Sequence, residues 1–309
     1  MKILIVCSGK QNKISPFVVD QVMSLNALGI ITEYFTIGGK GVLGYLKSLP
    51  RLLKSIKKHK PNLIHAHYGL SGLLSVLQRK KAVIITFHGS DVNYKRIRCF
   101  SWIASRMSAT NIFVAKEMLQ LMPAPNSYII PCGVDMELFQ PISQSEARKE
   151  FGLNSDKKYI LFSSGFDNAV KNYPLAKEAV SLLNNKNIEL LELKNYSRKQ
   201  VANLMNAVDM VLMTSFTEGS PQFIKEAMAC NCPIVSTDVG DVSWLFGDSE
   251  GHFITTYDAN NVAEDIARAL QYSKAKKNTH GRQRIIDLEL DSESIAKKLI
   301  WIYSKVLKD

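Results

Sequence analysis

Residues 214–237, "TSFTEGSPQFIKEAMACNCPIVST", place Glu218 in a Gly-Ser loop and Glu226 further on, with seven residues between them and an apolar run on either side. Pro221 suits the first turn of a helix, where its missing N–H costs nothing. The unpaired N–H groups at such a helix start, together with those of Gly219 and Ser220, form a site for a phosphate or another anion. Glu218 lies beside that site. Glu226 follows along the helix, and a carboxylate accepts two hydrogen bonds in fork geometry, which suits the adjacent hydroxyls of a ribose ring. The plain alternative makes both glutamates solvated helix charges.

Other residue groups invite chemistry more weakly. His65 and His67 form an H-x-H pair that a strand would turn to one face, a spacing found in metal sites. No third ligand of matching type stands near them in the chain, so a place on the floor of a binding cleft, with Tyr68 and Gly69, is the preferred reading. Cys230 and Cys232 flank one residue beside Pro233, and without a second pair they read as small packed side chains. The stretch "IGGKGVLG" at 37–44 lacks the order of a phosphate loop. The first loop, "CSGKQNKISP", has no G-x-G-x-x-G, which counts against a dinucleotide-dependent oxidoreductase.

The elements that must hold these residues follow from periodicity. Short Val/Ile/Leu runs recur with longer amphipathic stretches between them: "KILIV", "NLIHAH", "AVIITFHG", "NIFVA" and "SYIIP", then "YILFSSG", "IELLEL", "MVLMTS" and "CPIVST". Strands separated by helices imply βαβ units and parallel sheets. The series restarts near residue 158 after a polar segment containing Pro141. Two doubly wound domains are therefore expected, 1–142 and 143–291. The final segment, 292–309, is expected to form a helix with Ile295, Leu299, Ile302 and Val306 on one face. In such folds ligands bind beyond the carboxyl ends of the strands.

Composition sets further limits. The 309 residues are 46% hydrophobic and 22% charged, ordinary for a globular protein. The apolar run at the N-terminus, Ile3 to Cys7, is too short for a signal-peptide core or a membrane span. The five cysteines, at 7, 99, 132, 230 and 232, are read as reduced thiols in a cytoplasmic protein. The formal net charge of +11 is uneven: residues 1–150 hold 20 Lys and Arg against 8 Asp and Glu, a net of +12, while the remainder hold 19 against 20. Such a half suits an anionic partner, whether nucleic acid, membrane surface or substrate. No nucleic-acid-binding motif accompanies the charge, so nucleic acid is not expected as a partner. The segments "YLKSLPRLLKSIKKHKP" (45–61) and "YKRIRCFSWIASRM" (94–107) mix basic and apolar residues, a pattern that suits a solvated helix face over a core as well as a surface for an anionic membrane.

The stretch "EGSPQFIKEAMACNCPIVSTDVGDV" resembles the donor-binding motif of family 4 glycosyltransferases, retaining enzymes of the GT-B fold. "HAHYGLSG", "TFHGSDV", "IIPCGVDMELFQP", "VKNYPLA" and "NLMNAVDMVLMTS" are similar to family motifs in the family's order, so the resemblance runs almost end to end. It implies two Rossmann-like domains facing each other across a cleft, whose closure brings His88 to the donor, with the final helix, 292–309, packing back on the N-terminal domain. Both basic segments lie in the domain that takes the acceptor in such enzymes, which favours peripheral attachment to an anionic membrane. It also implies transfer of a sugar, with no metal and no cofactor, from a nucleotide donor (a UDP-sugar is the expected one) to a saccharide or lipid-linked acceptor. Carried over by position, it puts the ribose on Glu226 and the transferred sugar on Glu218. His88 would meet sugar and phosphate, and Lys171 would neutralise the departing diphosphate. Gly219, Ser220 and Pro221 would line the donor, Lys194 and Asn195 the base, and Ser8, Gly9, His67 and Tyr68 the acceptor. No Arg stands between 149 and 197, where the family generally carries one shortly before the Lys, so Lys225 or Arg198 is looked to as a substitute. A nucleotide-sugar epimerase of the same architecture is the alternative enzyme.

Overall fold

The computed structural model describes residues 1–9, 14–39, 41–276 and 279–308. Residues 10–13 of the first loop and Lys40 of the Gly-rich stretch, both read above for phosphate-binding order, lie outside the described residues. The chain divides into two compact units, Met1–Gly133 with Ser292–Asp309, and Val134–Asp291. The division falls at 133/134, earlier than 142/143, because residues 134–142 are bonded into the second unit. The Val134 N–H donates to the Leu290 carbonyl (2.9 Å), and Arg282 donates to the Phe139 and Met136 carbonyls (2.7 and 2.8 Å).

The N-terminal unit holds a six-stranded sheet of β1 (Lys2–Ser8), β2 (Ile31–Ile37), β3 (Leu63–His67), β4 (Val83–Phe87), β5 (Thr110–Phe113) and β6 (Ser127–Ile129). Their order is β2-β1-β3-β4-β5-β6 and every pair is parallel. Burial on both faces explains why β1, β3 and β4 read as continuous apolar runs. The second unit repeats the plan with β7 (Lys158–Phe162), β8 (Ile188–Leu191), β9 (Met210–Met213), β10 (Ile234–Thr237) and β11 (His252–Thr255), ordered β11-β10-β9-β7-β8, again all parallel. The strand order reverses between β1 and β3 in one sheet and between β7 and β9 in the other. Crevices at such reversals, beyond the strands' carboxyl ends, are where doubly wound sheets bind ligands.

Each core is closed by helices whose apolar faces the periodicity marks. In the second unit Ala176 and Ala179 of the helix Tyr173–Leu182, with Val262, Ala263 and Ile266 of Ala259–Lys276, cover Ile160, Phe162, Met210, Leu212 and Val235. The last helix, Ser292–Val306, belongs to the N-terminal unit and buries Ile295, Leu299, Ile302 and Tyr303 there. Among the described residues no helix is long and apolar enough to cross a membrane.

Candidate functional site

In the second unit, the expected donor residues gather at the β7/β9 reversal. Lys171 rides on a short turn after β7, Ala169–Lys171, which Asn168 caps by accepting the Val170 N–H (3.2 Å). That turn is fastened to the end of β9: the Phe216 N–H donates to the Val170 carbonyl (2.9 Å), and the Thr214 hydroxyl reaches the Lys171 and Asn172 carbonyls (2.9 and 3.0 Å). Asn172 leaves the turn in the left-handed region at φ 54°, which Asn tolerates well. So anchored, the Lys171 Nζ lies 2.6 Å from Glu218 Oε1, with both side chains 17% exposed. A half-enclosed ammonium held by a carboxylate at one end remains a strong donor to a second anion.

The loop that carries Glu218 is packed from behind. Gly240, at φ +61°, lies so close that a Cβ there would stand 2.2 Å from the Gly219 carbonyl oxygen, so only glycine fits. Tyr257 donates its hydroxyl to the Ser215 carbonyl (2.9 Å), as does Thr237 (2.8 Å). Pro221 takes the N-cap position of the helix Gln222–Ala229, one residue before its first turn, leaving the helix's opening N–H groups beside Gly219 and Ser220. Lys225, considered as a substitute phosphate cation, is wholly buried and donates to the Ser220 hydroxyl (3.1 Å). It braces the loop from inside the protein.

Glu226 is nearly buried, and its Oε1 accepts from Arg198 Nη1 at 2.6 Å. The Arg198 guanidinium also stacks over Phe139, 4.7 Å from the ring centroid. Arg198 opens the helix Arg198–Ala207 behind the capping box of Ser197 and Gln200. The other proposed substitute cation is thus committed to the second glutamate. Lys194 is exposed and pairs with Asp167 at 2.9 Å, while Asn195 turns the loop at φ +65°. This loop is tied to the β7 loop by Leu193 N–H to Ser164 O (3.1 Å) and Phe166 N–H to Glu192 Oε1 (2.7 Å). Sequence reasoning missed the Gly240 contact, the Glu226–Arg198 pair and the Thr214 latch; each joins segments remote in the chain.

In the N-terminal unit, Ser8 and Gly9 end β1, His67 and Tyr68 end β3, and His88 follows β4. His65 and His67 do share a face and stack at 4.6 Å between ring centroids, and His67 stacks on His88 at 5.2 Å. His67 is 0% exposed, so it lies beneath His88 and meets a ligand only through it. His88 is half-buried, with Phe17 and Tyr68 each 4.7 Å from its ring. Its backbone is set by Asp91, whose buried carboxylate accepts the N–H groups of Gly69, His88 and Gly89, all at 3.0 Å. Among the described residues no three His, Cys, Asp or Glu side chains cluster as metal ligands would.

These buried groups make the N-terminal unit acid-sensitive. Burial pushes His65 well below the ordinary imidazole value of 6.5 and His67 down to about 3, so their stabilising effect is complete above 6.5 and lost as pH falls. Asp91 runs the other way: burial raises it to about 6 against its N–H donors, so its contribution is present below 3.8 and lost as pH rises. Two histidines outweigh one aspartate, and the unit loses about 1.4 kcal/mol per pH unit for the net proton between pH 6 and 4. In a Trp244→Phe variant, whose remaining Trp102 and Trp301 report on this unit, the guanidinium midpoint should be lower at pH 5 than at pH 7. A flat or rising midpoint would contradict the neutral buried histidines.

Two parallel sheets, each wound by helices and each gathering polar side chains at its strand-order reversal, define a two-unit Rossmann-like protein of the GT-B class. The chain superposes on sucrose-phosphate synthase of Thermosynechococcus elongatus with a TM-score of 0.81 at 18% identity over 99% of both chains. Anabaena HepE, solved in complex with UDP, gives a TM-score of 0.76 at 17% identity over 99% of this chain and all of that one. Residues 5–138 match the family model described as Glycosyltransferase Family 4, and residues 192–284 the one described as Glycosyl transferases group 1; the chain belongs to glycosyltransferase family 4. It is 27% identical over 248 residues to the teichuronic acid biosynthesis glycosyltransferase TuaC of Bacillus subtilis, covering 70% of this chain and 64% of that protein. An N-acetylgalactosaminyltransferase of Campylobacter jejuni, named for a diphospho-undecaprenol substrate, is 25% identical over 201 residues, 57% of this chain and 54% of that protein. The chain therefore spans less than two thirds of either relative's length.

Proposed function

We propose that the protein is a retaining glycosyltransferase moving a sugar from a nucleotide-sugar donor, a UDP-sugar, to a saccharide or lipid-linked acceptor. The observation that carries this reading is the Lys171–Glu218 pair at 2.6 Å, held at the β7/β9 reversal beside a helix N-terminus. Departure of a nucleoside diphosphate builds negative charge, and a fixed ammonium together with the N–H groups of a helix start stabilises it in the transition state without reorganising. In this reading Lys171 and the Gly219–Pro221 loop take the diphosphate, Glu218 the transferred sugar, Glu226 the ribose and the Lys194–Asn195 loop the base. Ser8, Gly9 and Tyr68 belong to the acceptor side, and His88 acts in transfer from the N-terminal unit. Retention would follow from attack on the face the diphosphate leaves, its oxygen helping to take the acceptor's proton. The UDP seen in HepE and the lipid diphosphate in the Campylobacter relative's name support the donor and acceptor classes. Both family models are glycosyltransferase models, which speaks against an epimerase.

A nucleotide-release screen with UDP-, GDP- and ADP-sugars tests the reading. UDP release from one UDP-sugar, with the remaining donor's sugar unaltered, is expected. An epimerised donor, or no release and no thermal shift with any of the three, would overturn it.

We also infer attachment to an anionic membrane, with its location refined. The helix Leu49–His59 buries Leu52 and Ile56 against the core, so the charged surface it offers is Arg51 with Lys54, Lys57 and Lys58. The helix Lys95–Met107 instead exposes Trp102 (46%), Ile103 and Met107 beside Lys95, Arg96 and Arg106. An open groove of about 600 Å³ lined by Arg79, Lys80, Lys81 and Met107 continues that face. Co-sedimentation with phosphatidylglycerol vesicles at low salt should be lost in Trp102→Ala; no sedimentation of the unaltered protein removes the idea.

A further inference from the structure

Beneath His88 the N-terminal unit buries two more imidazoles whose hydrogen bonds are unequal. His65 is satisfied at both nitrogens, Nδ1 against the Tyr303 hydroxyl at 2.6 Å and Nε2 against the Thr86 hydroxyl at 2.7 Å. His67 is satisfied at one: Nδ1 lies 3.0 Å from His88 Nε2, while its own Nε2 is buried without a hydrogen-bond partner. A neutral imidazole carries one N–H donor and one lone pair. Orphaned buried N–H groups are rarer than orphaned acceptors, so the proton of His67 belongs on Nδ1 and the bare Nε2 faces the orphan position. His67 must then donate, and His88 Nε2 must accept. That leaves the His88 proton on Nδ1, where Cys132 Sγ, a weak acceptor, stands at 3.8 Å.

We propose that His67 is a positioning residue that locks His88 in its Nδ1–H tautomer, so that His88 presents a fixed N–H donor to an oxygen of the substrate. The inference rests on the part assigned above to His88 in transfer. The stack fixes orientation as well as tautomer. His67 is sandwiched between His65 and His88, and His65 is itself held by Tyr303 of the last helix and Thr86 of β4. A weak thiol acceptor at rest suits the role, because exchanging Sγ for a charged or hydroxyl oxygen strengthens the bond. The lock also opposes a second proton on His88, since an Nε2–H would point at the His67 Nδ1–H. The groups facing His88 from the packed elements are His67, Tyr68, Cys132 and the Asp91 carboxylate, which is bonded to its backbone.

The test compares two amides. In His67→Asn the side-chain N–H can stand at the Nδ1 position; in His67→Gln it stands at the Nε2 position and leaves Nδ1 unmatched. Nitrogen-15 spectra of histidine-labelled protein should show His88 as the Nδ1–H tautomer in the unaltered chain and in His67→Asn, and shifted toward Nε2–H in His67→Gln. With a UDP-sugar, kcat should fall about tenfold in His67→Gln, with KM within about twofold, and His67→Asn should recover most of that loss; partners behind a functional histidine commonly carry effects of this size. An Nε2–H tautomer for His88 in the unaltered chain overturns the lock without any variant. A tautomer that shifts in His67→Gln while kcat holds would keep the lock and overturn the part given to His88 in transfer.

Discussion

Lys171→Ala should lower kcat for sugar transfer by about a hundred- to a thousandfold, the usual loss when one fixed donor to a developing oxyanion is removed. The chain's fold should be untouched, because the turn that carries Lys171 is held through its backbone by Thr214 and Phe216 and not through its ammonium. The loss has two sources. One is the missing charge at the diphosphate. The other is Glu218, which loses its 2.6 Å contact with Lys171 while its carboxylate stays beside the place proposed for the diphosphate. The two can be separated by Glu218→Gln in the Lys171→Ala background. If repulsion by Glu218, deprived of Lys171, contributes, the double variant binds donor more tightly than Lys171→Ala alone, and the cycle shows a coupling of about 1 kcal/mol or more. If Lys171→Ala transfers sugar at the normal rate, the diphosphate is held elsewhere and the assignment of this crevice is wrong.

How far the sequence foretold this arrangement varies with the kind of interaction. Nine of the eleven described strands stand out as apolar runs: seven are buried along most of their length, and β6 and β8, although edge strands with half-exposed positions, keep mostly apolar residues. The two that do not, β2 "ITEYFTI" and β11 "HFIT", are edge strands with half-exposed positions, so polar residues interrupt their hydrophobic signal. The division between units falls nine residues before the expected boundary, because "VDMELFQP" has the polar, Pro-ended look of a linker while its backbone carbonyls bonded to Arg282 leave no mark in composition. At the site, Glu218, Glu226 and Lys171 stood out by type and motif context. Their partners did not. Lys225 looks like one more surface lysine in "FIKEAM" yet is entirely buried, since a periodicity of charges does not say which one bonds to a loop hydroxyl. The His65–Tyr303 bond joins residues 238 apart, a distance over which no local pattern speaks.

The absence of an arginine before Lys171 gives Glu226 its own expected signature. Arg198, the cation nearest in kind, is spent on Glu226 at 2.6 Å and on the face of Phe139. A carboxylate has about four acceptor positions, so the bond from Arg198 does not by itself exhaust them. Arg198 then fixes the orientation of the carboxylate and offsets its charge in a nearly buried place. Ribose contacts are the same before and during transfer, so they belong to uniform binding, which sets KM and not kcat. Glu226→Gln should therefore raise the donor KM about ten- to a hundredfold, the worth of a hydrogen bond to a charged group, with kcat at saturating donor within about threefold. The inhibition constant of free UDP should rise in step, because the nucleotide alone makes the same contact. Arg198→Ala should weaken both donor and UDP binding in the same direction by freeing the carboxylate, and adding it to Glu226→Gln should cost little more, since each acts through the other. A Glu226→Gln enzyme with normal donor KM and a collapsed kcat would move Glu226 from the ribose to the reacting sugar and exchange its role with that of Glu218.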